Sequence, residues 1–157
     1  MSIFDRDYYI KLVERHYFGN VAKEDIAAAC GCFTSDSEVV IYHGDNEVRR
    51  FYASPAAGQL PLEAFYDHLL GNYDAHFEGF EHTIDVEDQR CAANFTVTLT
   101  PKIGSDYEDT GTLTLNNSNF FRCRGGKIYY MVIYYANPTL GAKLGTQTTS
   151  PTGFPKA

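Results

Sequence analysis

The spacing of apolar residues changes along this chain from a helical period to a period of two. Before about residue 75, apolar side chains recur every three or four positions, as they do on one face of a helix. After residue 80 they alternate with polar side chains, which is the period of a β-strand. A group of helices followed by a long run of strands predicts an α+β fold in which the helices pack on an antiparallel sheet.

Three helices are predicted from this spacing. The first runs from Asp5 to Phe18 and ends at Gly19 and Asn20, which supply a natural stop. A short second helix follows at 23–33, and a third begins at Pro61 and ends near Asp74. Between them we expect a first strand at 37–43 and a loop at 44–60 that contains a brief strand.

Four further strands are predicted at 80–86, 91–99, 110–124 and 127–136. Gly125 and Gly126 form the last hairpin turn, because two glycines in sequence are a strong signal for a two-residue turn. The last strand is apolar or aromatic on both faces, so both faces should be buried. Three helices can cover only one face of such a sheet. We therefore expect a second copy of the chain on the other face, and hence a homodimer.

The domain organisation is simple. At 157 residues and 44% hydrophobic content, the chain suits one core, and we assign 1–137 to a single domain. The segment 138–157 is rich in Gly, Thr and Pro and has no periodicity, which predicts an extended or disordered tail.

Composition excludes several classes of function. The formal charge is −7, and no Lys/Arg-rich stripe is present, which argues against binding to nucleic acid. No signal sequence and no apolar run of transmembrane length is found, so we expect a cytoplasmic protein without membrane contact. The four cysteines should be reduced thiols, and the histidines lack the paired spacing of metal ligands, so no metal is assigned.

Three segments resemble the SnoaL-like branch of the nuclear transport factor 2-like superfamily. The stretch 17–26 is similar to the first helix of that family and its turn. Phe33-Thr-Ser-Asp36 is similar to the start of its first strand, and 121–128 with Tyr134-Tyr135 is similar to its terminal hairpin. The resemblance covers about 5–137 and implies a cystatin-like cone, in which N-terminal helices fill the concave face of a curved sheet.

The resemblance also implies a pocket for a small molecule. In isomerase-like relatives a tyrosine binds the developing oxyanion, and the matching position here is Tyr17. Their general base, a carboxylate, falls at Ile41, so His43 on the same strand face would be the substitute. Relatives also carry aspartates where this chain has Ile133 and Ala136, and this difference lowers the expectation of catalysis.

Three polar residues interrupt otherwise apolar strands and are candidate ligand-binding residues. His82 shares a face with apolar side chains, where a histidine can also be a hydrogen-bonded core residue. Asn117 and Asn119 lie where β-forming residues are expected. They can bind a ligand if they point inward with Leu115 and Phe121, or they can be solvated amides at a bulge or an edge.

The sequence thus predicts a protein that binds a small, apolar, oxygen-bearing molecule, with isomerisation, cyclisation or dehydration without a cofactor as the catalytic option. The alternative is a non-catalytic binding or assembly domain whose pocket is filled by some of the 12 tyrosines and 11 phenylalanines. A third option is the small structural subunit of a ring-hydroxylating oxygenase, which shares the fold.

Overall fold

The computed structural model of the protein describes residues 3–43 and 46–136, without the side chains of His43, Asn46 and Ala136. The tail predicted at 138–157 lies outside these residues, so the domain boundary at 137 stays a prediction. The helical elements are α1 (Arg6–Lys11), a π-helical segment (Leu12–Phe18), α2 (Gly19–Ala22), α3 (Ile26–Cys30), α4 (Leu62–Asn72) and a short 3-10 turn (Glu108–Thr110). The strands are β1 (Phe33–His43), β2 (Asn46–Tyr52), β3 (Leu60–Pro61), β4 (Tyr73–Asp85), β5 (Arg90–Pro101), β6 (Leu113–Arg124) and β7 (Lys127–Ala136).

The first helix is longer than predicted and changes its winding in the middle. The elements α1, the π-helical segment and α2 follow one another without a break from residue 6 to 22, and together we call them the N-terminal helix. The predicted stop at Gly19 and Asn20 is wrong. Gly19 has helical backbone angles, and the Asn20 side chain donates a hydrogen bond to the His16 carbonyl at 2.7 Å within the helix.

The π-helical segment determines which side chains of the N-terminal helix are buried. The Gly19 N–H donates to the Glu14 carbonyl, which is the five-residue hydrogen bond of a π-helix. Leu12 and Tyr17 are five positions apart, as are Val13 and Phe18, and all four side chains are buried. Because of this winding, Tyr17 and the next residue, Phe18, both face the core.

The seven strands form one curved, open sheet in the order β3-β2-β1-β7-β6-β5-β4. Strands β4 to β7 pair antiparallel with their neighbours, while β1 lies parallel to β7. The first and last long strands are therefore neighbours in the middle of the sheet. The α+β cone expected from the sequence is confirmed.

The side of the sheet that faces the helices, here called the inner face, carries the core. On β6 the inner residues alternate with outer ones from Leu113 to Cys123. The pairing register of β7 with β6 shifts between Arg122 and Cys123. Ile128 is therefore buried, although the regular alternation of buried residues on β7 begins only at Met131.

The four cysteines are free thiols, as predicted. Among the described residues, no helix is both long and apolar enough to cross a bilayer.

The opposite side, here called the outer face, is less buried than the sequence predicts. Tyr134 is 41% exposed and Phe120 is 48% exposed in the single chain. These two rings contact each other edge to face at 5.9 Å between centroids, and Tyr134 also stacks on Tyr42 at 5.3 Å. The expectation that both faces of β7 are covered is therefore not met within one chain.

The Gly125-Gly126 turn offers a matched pair of substitutions. Both residues have positive φ angles, so alanine causes similar backbone strain at either position. A Cβ at Gly126 would also lie 2.6 Å from the Phe4 ring and 2.7 Å from the Tyr8 hydroxyl, whereas a Cβ at Gly125 meets nothing within 4 Å. We expect Gly126→Ala to lower the free energy of unfolding by about 1–3 kcal/mol more than Gly125→Ala, measured by urea denaturation. Equal losses would contradict this packing.

Candidate functional site

A small cavity lies between the N-terminal helix, α4 and the inner face of the sheet. Its volume is about 40 Å³. Tyr17, Asn117 and Asn119 border it, so three of the five residues predicted from the sequence come together there. The other lining residues are Phe18, Val21, Phe65, Tyr66, Leu69, Phe77, Val97, Leu99, Leu115 and Ile133.

The interior is largely filled by aromatic rings. Tyr17 packs against Phe18 with 4.6 Å between ring centroids, and Phe18 packs against Phe77 at 4.7 Å. Tyr130 and Tyr134 contribute nothing to this filling, because neither lines the cavity and Tyr134 lies on the outer face. A cavity of about 40 Å³ is well below the roughly 150 Å³ of an engineered cavity that admits benzene. By this comparison the cavity as it stands holds about one or two heavy atoms, so a larger ligand requires lining side chains to move.

Two tyrosine hydroxyls form the polar end of the site. The Tyr17 and Tyr66 hydroxyl oxygens are 2.8 Å apart, and both side chains are buried. Burial raises the pKa of Tyr17 far above its usual range, although the hydrogen bond with Tyr66 acts in the opposite direction. Burial also raises the pKa of Tyr66. Both phenols are therefore neutral at physiological pH, and one of the two protons is not used in their mutual hydrogen bond.

Asn117 and Asn119 point inward on β6, as one of the two interpretations of the sequence requires. Asn119 is 1% exposed, and its side-chain amide donates to the Met131 sulfur at 3.6 Å. The carbonyl oxygens Oδ1 of Asn117 and of Asn119 are buried and have no hydrogen-bond partner among the described residues. A buried oxygen without a partner costs about 1–3 kcal/mol, so these two oxygens are unsatisfied acceptors in the cavity wall.

His82 lies elsewhere in the core. Its Nε2 atom is 2.8 Å from a carboxylate oxygen of Glu14 on the N-terminal helix, and its ring stacks on Phe80. It is not among the residues that line the cavity. This geometry agrees with the alternative interpretation of His82 as a hydrogen-bonded core residue.

His43, the predicted substitute base, ends β1, and its backbone pairs with Asn46. Its side chain lies outside the described part of the structure, so its role stays a prediction. Ile41 and Ile133 pair across β1 and β7, and both are buried. Within the described ranges, no group of three or more His, Cys, Asp or Glu side chains could hold a metal ion.

Tyr66 and Phe18 are two of the lining residues that were not predicted as site residues from the sequence. The sequence pattern places Tyr66 only on the apolar face of a helix. The available signal was that the hydroxyl of a buried tyrosine generally needs a hydrogen-bond partner. Phe18 was missed because an α-helical period does not place it beside Tyr17. No residue pattern in the sequence indicates the π-helical winding.

The tyrosine pair can be tested by a double-mutant cycle. Tyr17→Phe or Tyr66→Phe alone leaves one buried hydroxyl without its partner and should cost about 1–3 kcal/mol of unfolding free energy. The double variant Tyr17→Phe/Tyr66→Phe should cost less than the sum of the two single changes, because no hydroxyl is then left unpaired. The measurement is urea unfolding of all four proteins. Additive costs would show that the two hydroxyls are not coupled.

Comparisons with known proteins support the fold. No protein-family profile matches the chain, and no curated protein matches its sequence. Among solved structures, a putative polyketide cyclase from Xanthomonas campestris pv. campestris has 18% identity and a TM-score of 0.64, over 83% of this chain and 92% of its own. SalBIII, an epoxide hydrolase/cyclase-like enzyme of pyran ring formation in the polyether salinomycin, has 17% identity and a TM-score of 0.63, over 85% of this chain and 95% of its own.

A nuclear transport factor 2-like protein from Burkholderia xenovorans LB400 has 14% identity and a TM-score of 0.60, over 85% of this chain and 92% of its own. These identities are too low to transfer an activity. What is shared is the arrangement of helices on one face of a curved sheet, along more than four fifths of the chain. The chain therefore has the nuclear transport factor 2-like, or SnoaL-like, fold.

Proposed function

We propose that the protein binds a small, largely apolar, oxygen-bearing molecule in the cavity between the N-terminal helix and the sheet. The observation that carries this proposal is the pair of buried carbonyl oxygens on Asn117 and Asn119, which lack partners among the described residues. If only stability mattered, an apolar residue would be favoured at these two positions, because a buried polar atom without a partner costs stability. A ligand that hydrogen-bonds to these oxygens offsets that cost.

The surroundings of these oxygens also favour binding. The cavity wall is made of Leu69, Val97, Leu115 and aromatic rings, which suit the apolar part of a ligand. The Tyr17 and Tyr66 hydroxyls lie at the same cavity and can hydrogen-bond an oxygen of the ligand. Few polar groups in an apolar wall are typical of small-molecule sites.

A cavity-filling variant tests the proposal. Leu115→Phe adds volume inside the cavity, while Leu113→Phe adds the same volume at a buried position on the same face of β6 that does not line it. Leu113→Phe should lose about 1–3 kcal/mol from overpacking, and Leu115→Phe less, because the cavity takes up part of the added ring. We expect small neutral alcohols, ketones and ethers to shift NMR signals of cavity residues in the wild type and in Leu113→Phe, but not in Leu115→Phe.

Two results would contradict the proposal. If no compound of this panel binds the wild type, the cavity is not a binding site for such molecules. If compounds bind Leu115→Phe as well as they bind Leu113→Phe, they bind elsewhere on the protein.

Catalysis is the second candidate function. It is favoured by Tyr17, which lines the cavity at the position where isomerase-like relatives carry an oxyanion-binding tyrosine. A reaction that abstracts a proton also needs a base, and His43 is the candidate that the sequence supplies. Binding alone requires no base, and for that reason we propose binding as the primary function.

We also propose that a second copy of the chain covers the outer face of the sheet. The exposed rings of Phe120 and Tyr134 lie beside Tyr130 and Val132, around a shallow hollow of about 490 Å³. Exposed aromatic side chains that contact one another are typical of protein interfaces. A twofold arrangement would bury the same rings from both copies.

The outer face offers a direct test of this dimer. Phe120→Glu places a charge in the centre of the aromatic surface and should convert the dimer to a monomer, as measured by light scattering. Ile103→Glu is the control, because Ile103 is 94% exposed in the loop that follows β5 and does not line this hollow, so the change should leave the dimer intact. A wild-type monomer at micromolar concentration would contradict the proposal.

A further inference from the structure

The hydrogen-bonding capacity that remains in the cavity specifies the kind of polar group that a ligand should carry. The orientation of the Asn119 side chain follows from its neighbour, the Met131 sulfur, at 3.6 Å. A thioether sulfur can accept a hydrogen bond but cannot donate one, so the amide N–H group belongs on that side. The carbonyl oxygen Oδ1 is therefore the atom of Asn119 that is left for a ligand.

The protein offers this oxygen no donor from the flanking strands. Asn119 pairs across the sheet with Ala93 on β5 and with Ile133 on β7, and both side chains are apolar. The Oδ1 atom of Asn117, two positions earlier on the same face, is likewise buried and without a partner among the described residues. A carbonyl oxygen only accepts hydrogen bonds, so a ligand must bring the donor.

The cavity also selects against charge. Among the described residues that line it, none is acidic, basic or a histidine. An ionised group that entered this apolar site would lose its hydration without gaining an opposite charge, which is costly. A carboxylate would in addition meet the carbonyl oxygens of Asn117 and Asn119, which repel it.

We propose that the ligand is a small neutral molecule with a hydroxyl or N–H group that donates a hydrogen bond to Asn119 Oδ1. The proposal rests on the ligand binding proposed above and specifies its chemistry. The aliphatic part of the molecule lies against Val97 and Leu115. An alcohol satisfies the site, whereas a ketone or an ether of the same shape leaves the Asn119 oxygen without a partner.

Three probes of equal size separate these possibilities. Isopropanol has a donor, acetone has only an acceptor, and acetate carries a charge, while the carbon and oxygen skeletons are nearly the same shape. Each probe is titrated into the full chain labelled with ¹⁵N, and the backbone and Asn119 side-chain amide signals are followed by NMR. One hydrogen bond corresponds to roughly a tenfold difference in affinity, so isopropanol should bind about tenfold more tightly than acetone, and acetate should not bind.

The matched variants are Asn119→Leu and Ser118→Ala. Leucine has nearly the shape of asparagine and removes the buried oxygen, so Asn119→Leu should unfold at the same or a higher urea concentration than the wild type. In Asn119→Leu the preference for isopropanol over acetone should disappear. Ser118 directly precedes Asn119 and lies on the other face of β6, so it is the control. Ser118→Ala should keep the preference for isopropanol over acetone.

The outcomes distinguish this inference from the function on which it rests. If acetone binds the wild type as tightly as isopropanol, the donor is not required, and the inference is wrong. If Asn119→Leu keeps the preference for isopropanol, the donor does not bond to Asn119 Oδ1, and the inference is wrong in its choice of acceptor. In both cases binding in the cavity stands. If acetate binds most tightly, the inference of a neutral ligand is wrong. If none of the three probes shifts signals from cavity residues, both the inference and the proposed function fail.

Discussion

The packing of the N-terminal helix on the inner face of the sheet determines the rest of this structure. A curved sheet with an apolar face must cover that face, and the longest helical stretch among the described residues does so here. The π-helical winding at Leu12–Phe18 places both Tyr17 and Phe18 against the sheet, where Tyr17 reaches Tyr66 and Phe18 reaches Phe77 and Phe95. The cavity is the space that these rings leave between the helix, α4 and β6.

The unsatisfied polar atoms in this cavity lower stability, and the proposed ligand binding would account for them. Asn119 is enclosed by apolar neighbours, and its oxygen has no partner among the described residues, although an apolar residue of the same shape would fit. Proteins commonly accept such costs at binding sites, where stability and function compete. The tyrosine pair differs, because the two hydroxyls share one hydrogen bond and the pair remains neutral, with one proton not used between them. The site therefore combines a neutral hydroxyl pair with two acceptors that have no partner among the described residues.

Strands β4 and β5 were predictable because their apolar side chains alternate with polar ones, and the α+β class follows from the change of period. Gly125 and Gly126 fixed the last hairpin correctly, since both adopt the positive φ angles that favour glycine. The position of β1 beside β7 carries no local signal, because it depends on packing between distant segments. For the site, Asn117 and Asn119 could be identified as polar residues in an apolar strand. Tyr66 could not be paired with Tyr17 from the sequence, because the two hydroxyls meet only in three dimensions.

The most direct test of this account is a crystal structure of the protein as purified, inspected for electron density between the N-terminal helix and the sheet. The account predicts density for a small molecule, with an atom within hydrogen-bond distance of Asn119 Oδ1 and an apolar part against Leu115. A contradictory result would be a closed interior in which protein side chains donate hydrogen bonds to both asparagine oxygens. In that case Asn117 and Asn119 would be structural, and the search for function would turn to the outer face.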